Sequence, residues 1–299
     1  MSAIVEKRSE INPFQAPRNL HTLRRQVSNL LIVVLSLLAT IFAAAVLLYL
    51  LLYVLRAGLP YINLDLFTQI PTPNGEPGGG LANSIQGSLI IVGLASLFGI
   101  PLGLFTGIYL SEFGRGAIAI GVRFLVEVLT GIPTIIFGLF AWIFIVEPQQ
   151  TFSGLAGGVA LGIIMIPIVA RTSEEVLRLV PKELREASLA LGATESRTIL
   201  RVVIPAARNG IITGIVLAMA RIAGETAPLL MTAFGNPFFN TDITQPMDAL
   251  PLRIFNFAES PYQAQVNQAY AGSLVLIFLI LLTSFAIRWA TGGFKSGSR

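Results

Sequence analysis

Long apolar runs separated by short polar stretches dominate the chain, and their lengths set the first expectation. A helix needs about 20 mainly apolar residues to cross the hydrocarbon core of a bilayer. Six segments qualify, at roughly residues 29–55, 86–110, 124–146, 154–170, 210–234 and 270–290. The pattern predicts an all-α membrane protein with six transmembrane helices. The fourth segment, SGLAGGVALGIIMIPIVA, is short and glycine-rich, which suits close helix–helix packing better than lipid contact. Pro133 and Pro167 fall inside spans three and four, where a missing N–H is expected to kink the helix. The first run is too long for the apolar region of a cleaved signal peptide, so it is expected to remain as an anchor.

Lysine and arginine positions orient these spans. With the N-terminus inside, the inner segments hold Lys7, Arg8, Arg18, Arg24 and Arg25 in the arm, then Arg115 and Arg123. They also hold seven basic residues between 171 and 208, and Arg288, Lys295 and Arg299 at the end. Only Arg56 and Arg253 fall outside, a bias that places both termini in the cytoplasm. Trp142 and Trp289 fall near span ends, as interfacial anchors or as packing residues. The composition agrees: 54% of the 299 residues are hydrophobic and 12% charged, against about 25% charged in soluble domains. The net charge of +4 sits in loops at one membrane face, so nucleic acid is not expected as a partner. No cysteine is present, which excludes disulfides and thiolate chemistry. No GxxxxGK[ST] pattern exists, so no phosphate-cradling loop of that kind is expected for ATP.

The most informative polar segment is RTSEEVLRLVPKELREASLALGATESRTILRVVIPAARNG, Arg171 to Gly210. It predicts two short helices with a bend. Pro181 suits a first helical turn, and Leu184, Ala187 and Leu191 then share one face. Gly192 provides a permissive end, Thr194 is a candidate N-cap, and the second helix is expected to stop at Pro205. Such an amphipathic pair could lie on lipid headgroups or insert into a groove on a partner.

Inside the fifth run, MARIAGETAPLLMTAFG carries Arg221 and Glu225. A charge at a helix centre costs about 2.5–3.5 kcal/mol on insertion scales. Four-residue spacing lets the two side chains pair, but an apolar pair would be cheaper. Ala220, Ala223, Gly224 and Ala227 keep the helix slim, and Pro228 cannot donate to the carbonyl of Gly224, so a kink is expected beside the charges. A midplane arginine at a broken helix can host an anion in transit; the alternative is an ion pair locking two helices. Arg123 and Glu127 repeat the spacing near the inner start of span three and are expected to be structural.

EASLALGATESRTILRVVIP resembles the EAA loop of ABC-importer permeases: Glu186, Ala187 and Ser188 fill the triplet, Gly192 the glycine, and Val202, Ile204 and Pro205 the tail. Ser188 replaces the usual second alanine. GETAPLLMTAFGN, GIPTIIFGLF, VPKELREASLALGAT and GIITGIVLAMAR extend the likeness to the PstA family, the A-type permease subunits of phosphate-uptake ABC importers, from about Gly79 to the last helix. The resemblance implies a type I ABC importer permease (MetI-like) architecture in a prokaryotic inner membrane, with a basic arm at 1–28 and a permease domain at 29–299. It implies as partners a C-type permease subunit, an ATPase dimer and an extracytoplasmic phosphate-binding protein. No cofactor is expected on this chain, with ATP and Mg bound by the ATPase. It further implies that Arg221, Glu225 and Thr226 lie on the phosphate path, beside the Gly224–Pro228 kink, and that Glu186, Ala187, Ser188 and Gly192 dock the ATPase. Competing readings are the sister C-type subunit, a permease for sulfate or molybdate, and a secondary anion transporter using Glu225 as a proton relay. A membrane enzyme is disfavoured because no histidine or carboxylate cluster at metal spacing is evident.

Overall fold

The computed structural model describes residues 20–76 and 78–290. Lys7, Arg8, Arg18, Lys295 and Arg299 lie outside them, as does most of the basic arm. Helix α1, Leu20–Gly58, has 39 residues, so it extends about 58 Å at 1.5 Å per residue and exceeds the bilayer core. It falls largely in a unit of its own, the contacts dividing the chain between Tyr53 and Val54.

The second unit takes in the end of α1, a 3-10 turn at Leu59–Tyr61 and then a short α2, Asp65–Thr68. Helix α3, Ala82–Ile108, continues into a π-turn at Tyr109–Phe113. Next come α4, Ala117–Gly131, and α5, Thr134–Ala141, which runs through a second π-turn into α6, Glu147–Gln149. Helix α7, Gly154–Arg178, precedes α8, Lys182–Ala190. Helix α9, Glu195–Thr198, passes through a π-turn at Ile199–Val203 into α10, Ile204–Ala223. After α11, Ala227–Thr232, and α12, Leu250–Ala258, the chain ends in α13, Gln263–Ala290. Apart from two isolated bridges, the described residues hold no strand.

Five helices are long and apolar enough to span, and the bent pair Ala117–Gly131 and Thr134–Gln149 makes a sixth. Several boundaries differ from the sequence expectation. Span four runs on to Arg178, so the polar segment begins eight residues later than the change in composition suggests. Span five begins at Glu195, because the helix does not stop at Pro205. The π-turn before it absorbs the missing N–H, and Pro205 falls in the first turn of α10. The two proline expectations also separate. Helix α7 continues through the buried Pro167 without a break, whereas at Pro133 the chain turns by 101°. Ile132 is extended at ψ 135, the conformation a following proline enforces, so α4 ends there.

Helix α7 is the enclosed span: 67% of its apolar window is buried, against 33% for the next most buried. Helix neighbours there replace lipid, as its glycine-rich sequence anticipates. Gly99, Gly103 and Gly107 recur every four residues along the α3 face that meets it. A Cβ at Gly103 would stand 2.7 Å from Val169 Cβ, and one at Gly107 2.6 Å from Ser173 Cβ. Small residues at this spacing let two helices approach to backbone contact. Ile91, Ala95, Met165, Val169, Ala218, Ile222 and Leu229 complete the apolar core around this seam. Ser153 caps α7, accepting from the Ala156 N–H at 3.1 Å.

At the other end of α3 lies a buried polar knot. The Asp248 Oδ2 accepts from Ser84 Oγ at 2.6 Å and from Arg253 Nε at 2.8 Å, with the second Arg253 nitrogen at 2.7 Å. Asn83 donates both to Asp248 and to the Asn236 carbonyl, at 3.2 and 2.7 Å. Arg253 also lies over the Phe257 ring, 5.4 Å from its centroid. The segment before α12 is thereby fastened to the first turn of α3. Burial pushes the Asp248 carboxyl above the usual carboxylate range, with Arg253 and the Ser84 hydroxyl pulling it back.

Replacing Gly103 by leucine should overpack the α3–α7 seam and cost about 1–3 kcal/mol, read as a lowered melting temperature in detergent. The same change at Gly121, where an added Cβ meets nothing within 4 Å, should be tolerated. Asp248 gives a pH signature whose sign follows from its raised pKa. The folded state holds the proton more tightly, so this contribution is fully present below the ordinary value of 3.8 and is lost as pH rises through the folded value. Wild-type thermal stability, measured relative to Asp248→Asn, should fall across that window and level off above it.

Candidate functional site

The helix of the fifth span ends beside its charged residues. Helix α10 ends at Ala223, and the N–H groups of Gly224 and Glu225 turn back to the carbonyls of Arg221 and Ile222 at 3.3 and 3.2 Å. Helix α11 restarts at Ala227, with Pro228 in its first turn, where a missing N–H leaves nothing unsatisfied. The sequence expectation of a proline kink is therefore corrected: the helix breaks at Gly224–Thr226, and Pro228 opens the next helix. Arg221 accordingly stands in the last turn of α10, not midway along an unbroken helix. The negative end of the helix dipole favours a cation there.

Arg221 Nε is 4.0 Å from Glu225 Oε1, with the arginine side chain 52% exposed and the glutamate 18%. At that distance the contact is ionic and not a hydrogen bond, so Glu225 does not occupy the guanidinium donors. An oxyanion could meet them in a two-pronged contact. Gly224 faces open space: a Cβ there would touch only its own helix, at 3.8 Å from the Arg221 carbonyl oxygen. Among the described residues its smallness serves no contact with another helix. Thr226 lies in the break, and its carbonyl accepts from the Leu229 and Leu230 N–H groups at 3.0 and 3.2 Å.

The helices that follow the two breaks support each other. A Cβ at Gly138 on α5 would stand 2.7 Å from Pro228 Cα, so α5 and α11 meet backbone to backbone. Thr232 Oγ1 takes the Pro228 carbonyl at 2.8 Å. The turn at Ile132–Pro133 and the turn at Gly224–Thr226 thus belong to a pair of helices packed against one another.

The segment around α8 forms a second candidate site. Glu186 and Ala187 are exposed. Ser188 is half-buried, with its hydroxyl 2.9 Å from that of Thr198, so it ties α8 to α9 across the bend. Gly192 has φ +82, the left-handed conformation that terminates α8. Thr194 caps α9, accepting from the Arg197 N–H at 3.4 Å. Leu184 and Leu191 are exposed, Leu191 to 89%, so the apolar face expected from the sequence lies open among the described residues.

Sequence reasoning missed the ionic contacts that join distant segments. Arg123 does not pair with Glu127. Its Nε meets Glu174 Oε1 on α7 at 2.7 Å, and another of its nitrogens meets the Leu110 carbonyl at 2.8 Å. Glu174 also receives Arg178 at 2.7 Å. Glu127 instead lines a cavity of about 210 Å³ with Arg171 and Glu175. Arg185 on α8 reaches Glu112 in the π-turn after α3. No periodicity could reveal that pair, because 73 residues separate its members. Among the described residues, no group of three or more His, Asp or Glu side chains could hold a metal ion.

Residues 99–295 match the family described as binding-protein-dependent transport system inner membrane component. The chain is 41% identical to the phosphate transport system permease protein PstA of Yersinia pestis, covering 95% of this chain and 96% of that one. It is 42% identical to the protein of the same name from Haemophilus influenzae, over 90% and 95%, and 36% identical to a probable PstA of Methanocaldococcus jannaschii, over 84% and 89%. Among solved structures, a bacterial alginate ABC transporter in complex with a pentasaccharide-bound periplasmic protein superposes with a TM-score of 0.65. It covers 92% of this chain and 99% of that one at 15% identity. An inward-facing MetNI methionine ABC transporter gives 0.56, over 73% and 96% at 21% identity. These likenesses show the fold of an ABC importer permease.

Proposed function

The chain belongs to the family of binding-protein-dependent transport system inner membrane components, and on that premise we propose that it is the A-type permease subunit of an ATP-driven importer of inorganic phosphate. It is a multi-pass inner-membrane protein and a transport subunit, not itself catalytic. The partners in this reading are a C-type permease, an ATPase dimer that binds ATP and Mg, and an extracytoplasmic phosphate-binding protein.

The observation that supports the substrate path is the half-exposed Arg221 at the helix break, with guanidinium donors left open by a loose contact to Glu225. Phosphate passing this point exchanges water for charge-assisted hydrogen bonds, and Glu225 takes the arginine back afterwards. Thr226 adds a hydroxyl, and the open space beside Gly224 leaves room for the anion or for the second permease. The α8 segment is the ATPase dock in this reading. Glu186 and Ala187 present the contact, while Ser188 and Gly192 hold the segment in shape.

The test is reconstitution of both permeases, the ATPase and the binding protein in liposomes. ATP-dependent phosphate uptake is expected; uptake that proceeds without ATP, or none of phosphate but some of another oxyanion, overturns the reading. Arg221→Gln should lower uptake by about 10–100-fold, the worth of hydrogen bonds to a charged group, while all subunits still co-purify. Undiminished uptake would remove Arg221 from the path, and lost assembly would make it a structural ion pair. Gly192→Val should strain the left-handed turn by about 1–3 kcal/mol without a clash, since a Cβ there meets nothing within 4 Å. ATPase co-purification should drop severalfold.

A further inference from the structure

We propose that the Glu112–Arg185 ion pair is the link that passes movement of α8 to the inner ends of α3 and α7, and so sets how tightly ATP hydrolysis is coupled to transport. The proposal rests on the reading of α8 as the ATPase dock.

The geometry of Arg185 carries it. Its Nε and one terminal nitrogen form a fork on the two Glu112 oxygens, at 3.1 and 2.8 Å. The terminal nitrogen on Glu112 also donates to the Leu177 carbonyl in the last turn of α7 at 2.9 Å, and the other terminal nitrogen donates to the Val180 carbonyl, just past that helix, at 2.6 Å. One side chain on α8 therefore holds the last turn of α7 and the end of α3 together. The side chains are 21% and 9% exposed, so solvent does little to screen the pair.

Glu112 is presented by the π-turn at Tyr109–Phe113, which is itself gripped from the other side by Arg123 at the Leu110 carbonyl. Arg123 in turn holds Glu174 of α7. The inner ends of α3, α4 and α7 are thus fastened through arginines to a single turn, and Arg185 is where α8 joins them. The other anchor of α8 is lighter: the Ser188 hydroxyl on Thr198. Leu184, Leu189 and Leu191 are exposed. A planar guanidinium fork resists shear in a way that apolar contact does not, and lysine cannot reproduce it. As mere glue the pair is a poor choice, since an apolar pair of similar volume is often as stable.

The experiment uses the complete reconstituted transporter and reads phosphate moved per ATP hydrolysed, a ratio that does not depend on how much complex assembles. Glu112→Gln and Arg185→Lys should retain bound ATPase and ATP hydrolysis, while the ratio falls about tenfold, within the range reported for single positions in coupling networks. Where Glu112→Gln fails to assemble, Glu112→Asp, which keeps the charge and shortens the reach, is read instead with the same expectation. An unchanged ratio overturns the proposal, including the case in which the ATPase dissociates and the remaining complexes couple normally. A wild-type complex that moves no phosphate on ATP overturns the functional reading; a competent wild type whose variants keep its ratio overturns only this link.

Discussion

Lipid supplies no hydrogen bonds, so each backbone polar group in a spanning segment needs a partner from the protein. This constraint makes the chain helical and makes every interruption expensive. Two interruptions nonetheless occur, one within the bent span at Ile132–Pro133 and one at Gly224–Thr226, where span five ends. They persist because the helices that follow them, α5 and α11, press backbone against backbone at Gly138 and Pro228. At the second break the carbonyls of Arg221 and Ile222 are taken up locally, by the Gly224 and Glu225 N–H groups turning back. A charged residue beside such a break stands where the helix wall is already open.

The core follows from the same economy of space. Helix α7 is the member surrounded by the others, and the glycines of α3 bring the two backbones close enough for Met165 and Val169 to fill the seam. Polar fastenings then sit at the two ends of this rigid pair. At one end Asp248 and Arg253 tie the segment before α12 to the first turn of α3. At the other, Glu112, Glu174, Arg123 and Arg185 tie its last turn to α4, α7 and α8. The middle is apolar and tightly packed, so a displacement at one end is carried as a rigid-body motion and not dissipated within the seam.

Much of this was legible in the chain. Apolar run length set the number of spans, because twenty residues of helix match the bilayer whatever the neighbours. Gly192 and Thr194 announced the bend after α8, since a left-handed turn and a side-chain cap are local demands. Arg221 and Glu225 announced themselves by cost alone. What the sequence left open depended on contacts between distant segments. Arg123 had Glu127 at helical spacing, but Glu174 on a packed neighbour offered a closer and more buried carboxylate. Pro167, Pro205 and Pro228 gave the same local signal as Pro133, yet only Pro133 ended its helix within a span. The outcome turned on whether a π-turn, a first-turn position or an enclosing helix absorbed the missing donor. Pairing of Glu112 with Arg185 and of Asp248 with Asn83 and Ser84 has no periodic trace, because polar partners across 73, 165 or 164 residues are chosen by the packing of the spans between them. Local chemistry therefore determined the elements, their ends and the costly residues; the close approach of α3, α5, α7 and α11 decided which of those residues meet.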